Sequence, residues 1–155
     1  MSFTVIILAA GKGSRMKSST SKPLHKIAGC EMIEWVLEAS RKAGAKQIIP
    51  VIRKEMSDLA SYLSDYSIAI QKEANGTADA VVAALPHIIN LNLPVIVLYA
   101  DTPFITAEII SSLYQKINSG NDICVLGFNT ENPYGYGRLI QSSTGGLEAI
   151  VEESE

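Results

Sequence analysis

Residues 8–26 read LAAGKGSRMKSSTSKPLHK and overlap the end of a short apolar run, VIILA, at residues 5–9. Such a run is typical of a buried strand in a parallel sheet. The stretch contains two glycines, Gly11 and Gly13, and the cations Lys12, Arg15, Lys17, Lys22 and Lys26. Glycine lets the backbone turn tightly and point N–H groups at an anion, and Arg and Lys add positive charge. After a first strand, this composition predicts a phosphate-binding loop; a surface loop with solvated charges is the alternative.

The loop matches neither of two common phosphate-binding patterns. A P-loop has four residues between its glycines, whereas one residue separates Gly11 from Gly13. The dinucleotide pattern G-x-G-x-x-G requires glycine where this chain has Met16. The glycine pair alone is therefore a weak signal, and only the complete run is specific.

Composition and charge narrow the classes of protein. The chain has 155 residues, of which 47% are hydrophobic, as expected for one globular domain. The net charge of −3 gives no support for binding to nucleic acid or to a membrane surface, so the cations of residues 8–26 indicate a small anionic ligand. Cys30 and Cys124 lack metal spacing. With neither a signal peptide nor a membrane-length apolar run in sight, we expect a cytoplasmic protein.

Strands alternate with helices along the chain, which predicts an α/β fold with a Rossmann-like, doubly wound, mostly parallel sheet. Apolar runs predict strands at residues 4–9, 47–52, 67–71, 94–99 and 122–128. Amphipathic spacing predicts helices at residues 32–43, 54–66, 77–88 and 106–118. Near the end, residues 138–141 and 147–151 flank residues 142–146 and predict an antiparallel hairpin.

Three further groups of residues follow predicted strands or turns. Asp101 comes just after the most apolar strand, which we take as central, and is either a magnesium ligand or a cap for the next turn. Gln71, Gly76 and Thr77 have the donor, acceptor and free N–H groups that recognise a base, with Thr77 as the helix N-cap; an ordinary strand–loop–helix junction is the alternative. Gly137 and Glu152 suit a sugar, or are plain hairpin residues.

The complete pattern resembles the sugar-phosphate nucleotidylyltransferases. Their signature L-A-A-G-x-G-[ST]-R-M is filled at every fixed position by residues 8–16, and the later K-P by Lys22 and Pro23. Further similar segments are Q-x-E-x-x-G-T at residues 71–77, D-x-P at residues 101–103, Y-G-R at residues 136–138 and I-V-E at residues 150–152. Within that class, the chain is most similar to the uridylyltransferase domain of bacterial bifunctional N-acetylglucosamine-1-phosphate uridylyltransferase/glucosamine-1-phosphate acetyltransferases.

The resemblance implies a role for each matching residue. It implies catalytic roles for Arg15 and Lys22 and a magnesium ligand at Asp101. It also implies nucleotide binding by Leu8, Ala9, Ala10, Gly11, Gln71, Gly76 and Thr77, and sugar binding by Tyr99, Gly137 and Glu152. Two positions depart from the family pattern: Ala100 replaces a usual glycine, and Ala74 a frequent glutamine.

The implied reaction is Mg²⁺-dependent uridylyl transfer from UTP to N-acetylglucosamine-1-phosphate, which yields UDP-N-acetylglucosamine and pyrophosphate for cell-envelope precursors. The fold implied is that of the nucleotide-diphospho-sugar transferases. The 155 residues match only part of the family's domain, without the later β-helix acetyltransferase domain through which full-length members form homotrimers. We therefore expect a partial domain over residues 1–155 and leave its oligomeric state open. Another nucleotidylyltransferase, using CTP, GTP or dTTP, and a nucleotide-binding fragment without turnover are the alternatives.

Overall fold

A computed structural model describes residues 2–73 and 75–153 of the chain. The strands are β1 (Thr4–Leu8), β2 (Lys26–Ile27), β3 (Cys30–Glu31), β4 (Gln47–Ile52), β5 (Ala69–Ile70), β6 (Val95–Tyr99), β7 (Arg138–Gln141) and β8 (Leu147–Val151). The helices are α1 (Met32–Lys42), α2 (Ser57–Tyr62), α3 (Thr77–Ala84) and α4 (Ala107–Asn118), with short 3-10 turns at Ser14–Met16, Lys22–Leu24 and Leu85–His87. None of the helices in these described ranges is long and apolar enough to cross a membrane.

Four parallel strands form the main sheet in the order β5-β4-β1-β6. Leu8, the last residue of β1, pairs with Val51 of β4 and with Tyr99 of β6. The carboxyl ends of these three strands therefore lie level at one edge of the sheet. The parallel sheet and the antiparallel hairpin of β7 and β8 confirm the fold expected from the sequence.

Strand β1 is buried on both sides because helices cover both faces of the sheet. Val5 and Ile7 belong to the apolar core that includes Val36 of α1 and Ile110 of α4. Ile6 faces the other way, into a smaller core with Ala80 and Ala84 of α3. Successive side chains of a strand point to opposite faces, so a continuous apolar run requires two cores. This arrangement is the doubly wound sheet that the sequence predicts.

Two expectations about strands are wrong. Residues 122–128 pair with no strand among the described residues. Four of their apolar side chains are exposed: Ile123, Val125, Leu126 and Phe128. An apolar run provides burial potential, but a strand also needs a neighbour for its backbone hydrogen bonds. The strand at residues 94–99 forms as β6, yet it lies at an edge of the described sheet and not at its centre. Ile96 and Leu98 are buried on one face of β6, whereas Val97 is 41% exposed on the other.

Helix α2 is shorter than expected, running from Ser57 to Tyr62 instead of over residues 54–66. Leu59 and Leu63, four residues apart, are fully buried, as expected for one face of an amphipathic helix. The residues before Ser57 form a turn, in which Met56 N donates to the Arg53 carbonyl at 3.1 Å. Amphipathic spacing therefore located the helix but not its ends.

The described residues form two compact units, which meet in sequence between Asp122 and Ile123. The first contains the parallel sheet and the four helices. The second contains the β7–β8 hairpin, in which Arg138 pairs with Val151 and donates to Glu153 across 2.7 Å. Within this second unit, the rings of Phe128 and Tyr136 pack edge to face with centroids 5.0 Å apart.

Candidate nucleotide-binding site

A pocket of about 340 Å³ lies at the carboxyl edge of the parallel sheet. Segments that are distant in sequence contribute to it because they all follow strands that end at this edge. Its walls are formed by Leu8, Ala9, Ala10, Gly11, Lys12, Gly13, Lys22, Pro23, Arg53, Gln71, Gly76, Thr77, Ala80, Tyr99, Ala100 and Asp101. The pocket thus brings together every residue for which the sequence predicted nucleotide binding, together with Lys22, Tyr99 and Asp101. In open α/β sheets this edge is the usual place for a ligand.

The glycine-rich loop approaches Lys22 closely. Gly13 has a positive φ of 58°, and a Cβ built there would lie 2.8 Å from the Cβ of Lys22. A side chain at this position would be strained and would displace Lys22, so the second glycine of the motif is required for packing. Arg15 lies in the 3-10 turn that follows. It lines an adjoining hollow of about 300 Å³, shared with Lys12, Gly13 and Lys22, and not the main pocket.

Lys22 and Asp101 form an ion pair inside the pocket. The Lys22 ammonium donates to Asp101 Oδ2 at 2.5 Å, although 79 residues separate the two in sequence. Their side chains are 34% and 40% exposed, so both charges remain accessible to a ligand. Among the described residues, no backbone N–H of the following turn donates to the Asp101 carboxylate, which accepts from Lys22, so the structure gives no sign of a cap at Asp101.

The groups around Asp101 decide whether it suits a metal ion. Among the described residues, three or more His, Cys, Asp or Glu side chains nowhere gather in a way that could hold a metal ion. Mg²⁺ commonly takes only one or two protein carboxylates and fills its remaining positions with water and substrate phosphates. The accessible carboxylate of Asp101, on the wall of a pocket that also carries Lys22, therefore fits Mg²⁺ bound together with a phosphate ligand.

Asp58, at the start of α2, holds the segment that leads into Lys22. Its carboxylate accepts hydrogen bonds from the Ser21 hydroxyl at 2.6 Å and from the Ser21 backbone N–H at 2.8 Å. Partial burial alone would raise the pKa of Asp58, but the hydrogen bonds from Ser21 and from the Leu59 N–H outweigh it and lower the pKa below its usual value. No sequence motif indicates this contact, since Asp58 lies 37 residues beyond Ser21.

Gln71, Gly76 and Thr77 form another part of the pocket wall. Gln71 is buried, and its side-chain Nε2 donates to the Gly76 carbonyl at 3.1 Å and to Asp79 Oδ2 at 2.9 Å. Gly76 has a φ of 98° and occupies the cap position of α3, so the expectation that Thr77 is the N-cap is wrong: Thr77 is the first helical residue. The departure from the family pattern at Ala74 lies outside the described residues.

Arg53 is a pocket residue that the sequence analysis missed. It directly follows β4 and therefore lies at the same sheet edge as Gly11 and Gln71. Its Nε is buried and has no hydrogen-bond partner in the part of the chain that the structure describes. The signal available in the sequence was a charged residue just after a predicted parallel strand. The same signal identified Asp101.

Gly137 and Glu152 lie together in the second unit, next to the paired ends of β7 and β8. A Cβ built on Gly137 would lie 3.3 Å from Glu152 Oε2. The hairpin therefore brings the two predicted sugar-binding residues side by side, as their positions in the sequence imply. Whether they bind a sugar stays a prediction.

A parallel sheet whose carboxyl edge carries a glycine-rich cationic loop, a buried amide and a carboxylate defines a nucleotide-binding α/β domain. The chain belongs to the MobA-like NTP transferase domain family, whose pattern its sequence matches over residues 5–150. Membership in this family confirms the expected enzyme class, the nucleotidyltransferases.

Curated relatives agree with this assignment. The chain is 42% identical to the bifunctional protein GlmU of Maricaulis maris (strain MCS10) over 152 residues, which make up 96% of this chain and 33% of that protein. It is 44% identical to the protein of the same name from Parvibaculum lavamentivorans (strain DS-1) over 139 residues, or 87% of this chain and 31% of that protein. The resemblance to the bifunctional bacterial enzymes is thereby confirmed. The chain spans about a third of the length of these relatives.

Solved structures agree on the fold. Rv0371c from Mycobacterium tuberculosis H37Rv superposes with a TM-score of 0.64 at 19% identity, over 76% of this chain and 61% of that chain. A structure of Rv0371c in complex with manganese gives a TM-score of 0.62 at 16% identity, over 77% of this chain and 61% of that chain. At this level of identity the similarity establishes the shared fold alone.

Proposed function

We propose that this chain carries the site for uridylyl transfer from UTP to N-acetylglucosamine-1-phosphate, which produces UDP-N-acetylglucosamine and pyrophosphate for cell-envelope synthesis. The observation that carries the proposal is that the Gly11 loop, Lys22, Gln71 and Asp101 line one pocket. The identity of more than 40% to two GlmU proteins over most of the chain supports this particular reaction.

The proposed chemistry is an in-line displacement at the α-phosphorus of UTP. A phosphate oxygen of the sugar-1-phosphate forms the new P–O bond while the bond to the β-phosphate breaks, and pyrophosphate leaves with the electron pair. The protein contributes mainly positioning and charge neutralisation. Lys22 stabilises charge on the α-phosphate, and Arg15, in the adjoining hollow, holds the β- and γ-phosphates.

The ion pair between Lys22 and Asp101 must break for this chemistry, because each charge is neutralised by the other while the pair is formed. The pair is exposed, and such pairs contribute only about 0–1 kcal/mol, so an incoming phosphate can compete for the ammonium. Asp101 is the residue that would hold Mg²⁺, a Lewis acid that neutralises phosphate charge when bound. On the acceptor side, Tyr99, Gly137 and Glu152 are the residues that we propose to bind the sugar.

Pyrophosphate release by the 155-residue chain tests the proposal. We expect release with UTP, N-acetylglucosamine-1-phosphate and Mg²⁺ together, and much less when CTP, GTP or dTTP replaces UTP. A preference for another nucleotide would assign the chain to a different nucleotidylyltransferase. Tight UTP binding without release would identify a nucleotide-binding fragment, consistent with a chain that spans a third of its relatives. Absence of UTP binding to the folded protein would refute the proposal.

Substitution of Lys22 tests its role in the reaction. Lys22→Ala should lower turnover by roughly 10²–10³-fold, as the loss of a transition-state contact does, but weaken UTP binding less than about fivefold. Lys54→Ala, at an exposed lysine that does not line the pocket, is the matched control and should change neither. Equal losses of turnover and UTP affinity would mean that Lys22 only binds the donor.

A cytoplasmic location and the trimer of full-length relatives stay predictions.

A further inference from the structure

The side-chain amide of Gln71 is held in one orientation by two partners that can only accept. Its Nε2 donates to the Gly76 carbonyl at 3.1 Å and to Asp79 Oδ2 at 2.9 Å. A carbonyl and a carboxylate offer no hydrogen to donate, so the NH₂ end of the amide must face them. Gln71 is only 6% exposed, and both of its amide hydrogens are committed.

This orientation leaves Oε1 of Gln71 as the polar atom of the side chain that a ligand can use. No hydrogen bond among the described residues engages Oε1, and Gln71 forms part of the pocket wall. A glutamine that could rotate freely would offer either a donor or an acceptor. Held as it is, Gln71 offers an acceptor only, and therefore favours a ligand group that donates.

From this geometry we propose that Asp79 is a positioning residue that sets the base selectivity of the donor site. It keeps the acceptor of Gln71 toward the base, and so favours a base with a ring N–H, such as uracil, over cytosine, whose N3 carries a lone pair. This inference rests on the proposed function and on the predicted role of Gln71 in recognising the base. Of the described residues, Asp79 is not among those that line the pocket, so it acts through Gln71.

A purely structural role for Asp79 makes a different prediction. Asp79 lies in the first turn of α3, where a carboxylate also stabilises the helix through its dipole. If that were its only role, replacing Asp79 would lower the melting temperature and weaken all nucleotides equally. The ratio of CTP to UTP dissociation constants separates the two roles, because helix stability does not change it.

The test is calorimetric titration of the 155-residue chain with UTP, CTP and N3-methyl-UTP, which lacks the ring N–H. For the wild type we expect UTP to bind at least tenfold more tightly than either of the others. Asp79→Ala should reduce the CTP/UTP ratio by several-fold, since only the Gly76 carbonyl then holds the NH₂ end of the Gln71 amide. Asp79→Asn retains an accepting oxygen and should restore most of the ratio. In turnover assays, Asp79→Ala should raise KM for UTP with little change in kcat.

Each outcome distinguishes the inference from the proposed function. A wild type that prefers UTP and an Asp79→Ala variant that keeps the full preference would overturn the role of Asp79 and leave the proposed function standing. A wild type that binds no UTP would overturn the proposed function itself. If Asp79→Ala does not fold, Asp79→Leu, a good helix former that also lacks an accepting oxygen, replaces it, and an unchanged CTP/UTP ratio again overturns the inference. N3-methyl-UTP that binds the wild type as well as UTP would also overturn it.

Discussion

Arg53 shows how one side chain after a strand changes the chemistry of the pocket. It adds a positive charge to a wall that otherwise carries Gln71, Gly76 and Thr77. Its buried Nε lacks a partner among the described residues, and an unsatisfied buried donor costs about 1–3 kcal/mol. Because this atom is buried, a ligand reaches it only if the side chain moves, whereas the positive charge of the guanidinium group acts on an anionic ligand without that contact. Arg53 therefore combines a cost to stability with a contribution of charge to the pocket.

Replacing Arg53 should have opposite effects on binding and stability. We expect Arg53→Met, which keeps the apolar stem, to weaken UTP binding about fivefold to tenfold because a donor is lost. The melting temperature should stay the same or rise by up to about 3 °C, because an unsatisfied group is removed. Calorimetric titration and thermal unfolding measure the two effects.

Arg41 provides the matched control for Arg53. It lies on α1 and pairs with Glu34 and Glu38 and with the Tyr66 hydroxyl, so its donors are satisfied. Arg41→Met should lower the melting temperature and leave UTP binding unchanged. If Arg53→Met binds UTP like the wild type, Arg53 has no part in the site.

Single residues were predictable from the sequence where a local motif fixes them. Gly13 and Lys22 could be assigned to one phosphate-type loop because Gly13 belongs to the glycine-rich signature and Lys22 to the Lys-Pro pair that follows it. Arg53 and Asp79 were missed because their roles depend on neighbours that the fold supplies: a pocket wall for Arg53 and the Gln71 amide for Asp79. No sequence motif indicates either of these contacts.

At the scale of elements, α2 and the phosphate-type loop are joined through Asp58 and Ser21. Hydrogen bonds hold the pKa of Asp58 below its usual value, so its ionised form stabilises the fold. This stability is present above the unfolded-state pKa, about 3.9, and is lost as the pH falls through the lower folded-state value. Asp58→Asn should therefore be less stable at pH 7, by about 1 kcal/mol because solvent competes at this exposed site, and the difference should shrink as the pH falls below about 3.9.

Urea unfolding of the wild type and Asp58→Asn from pH 7 to pH 3 measures this effect. Asp65→Asn is the control, since Asp65 is an exposed carboxylate that makes no hydrogen bond among the described residues. It should show the pH dependence of the wild type. Parallel curves for Asp58→Asn and the wild type would show that the link to Ser21 adds no stability.

Elements were predictable where burial alone defines them. The core strand β1 and helix α1 follow from apolar runs and spacing, because each buries whole faces in the core of the parallel sheet. Residues 122–128 have the same apolar character and yet form no strand among the described residues. Strand formation depends on a partner that is distant in sequence, and composition does not record that partner. For the same reason, the sequence could not show that β6 lies at the edge of the sheet.

At the scale of the whole molecule, the residues predicted to bind the nucleotide lie in the first unit, as does Tyr99, whereas the other two residues predicted to bind the sugar lie in the second. The pocket walls come from residues 8–101, within the first unit, whereas Gly137 and Glu152 belong to the second. A chain of residues 1–122 should therefore fold and bind UTP within about threefold of the 155-residue chain, but transfer nothing to N-acetylglucosamine-1-phosphate. Circular dichroism, calorimetric titration and pyrophosphate release measure folding, UTP binding and transfer.

The 155-residue chain with Glu152→Gln is the control that keeps both units. If Glu152 binds the sugar, this variant should lose most of the transfer and still bind UTP, because its side chain belongs to the unit that carries none of the pocket walls. Loss of UTP binding by a folded 1–122 chain would mean that the donor site needs the second unit. Transfer by the 1–122 chain would refute the roles of Gly137 and Glu152, since the sugar would then be held entirely by the first unit.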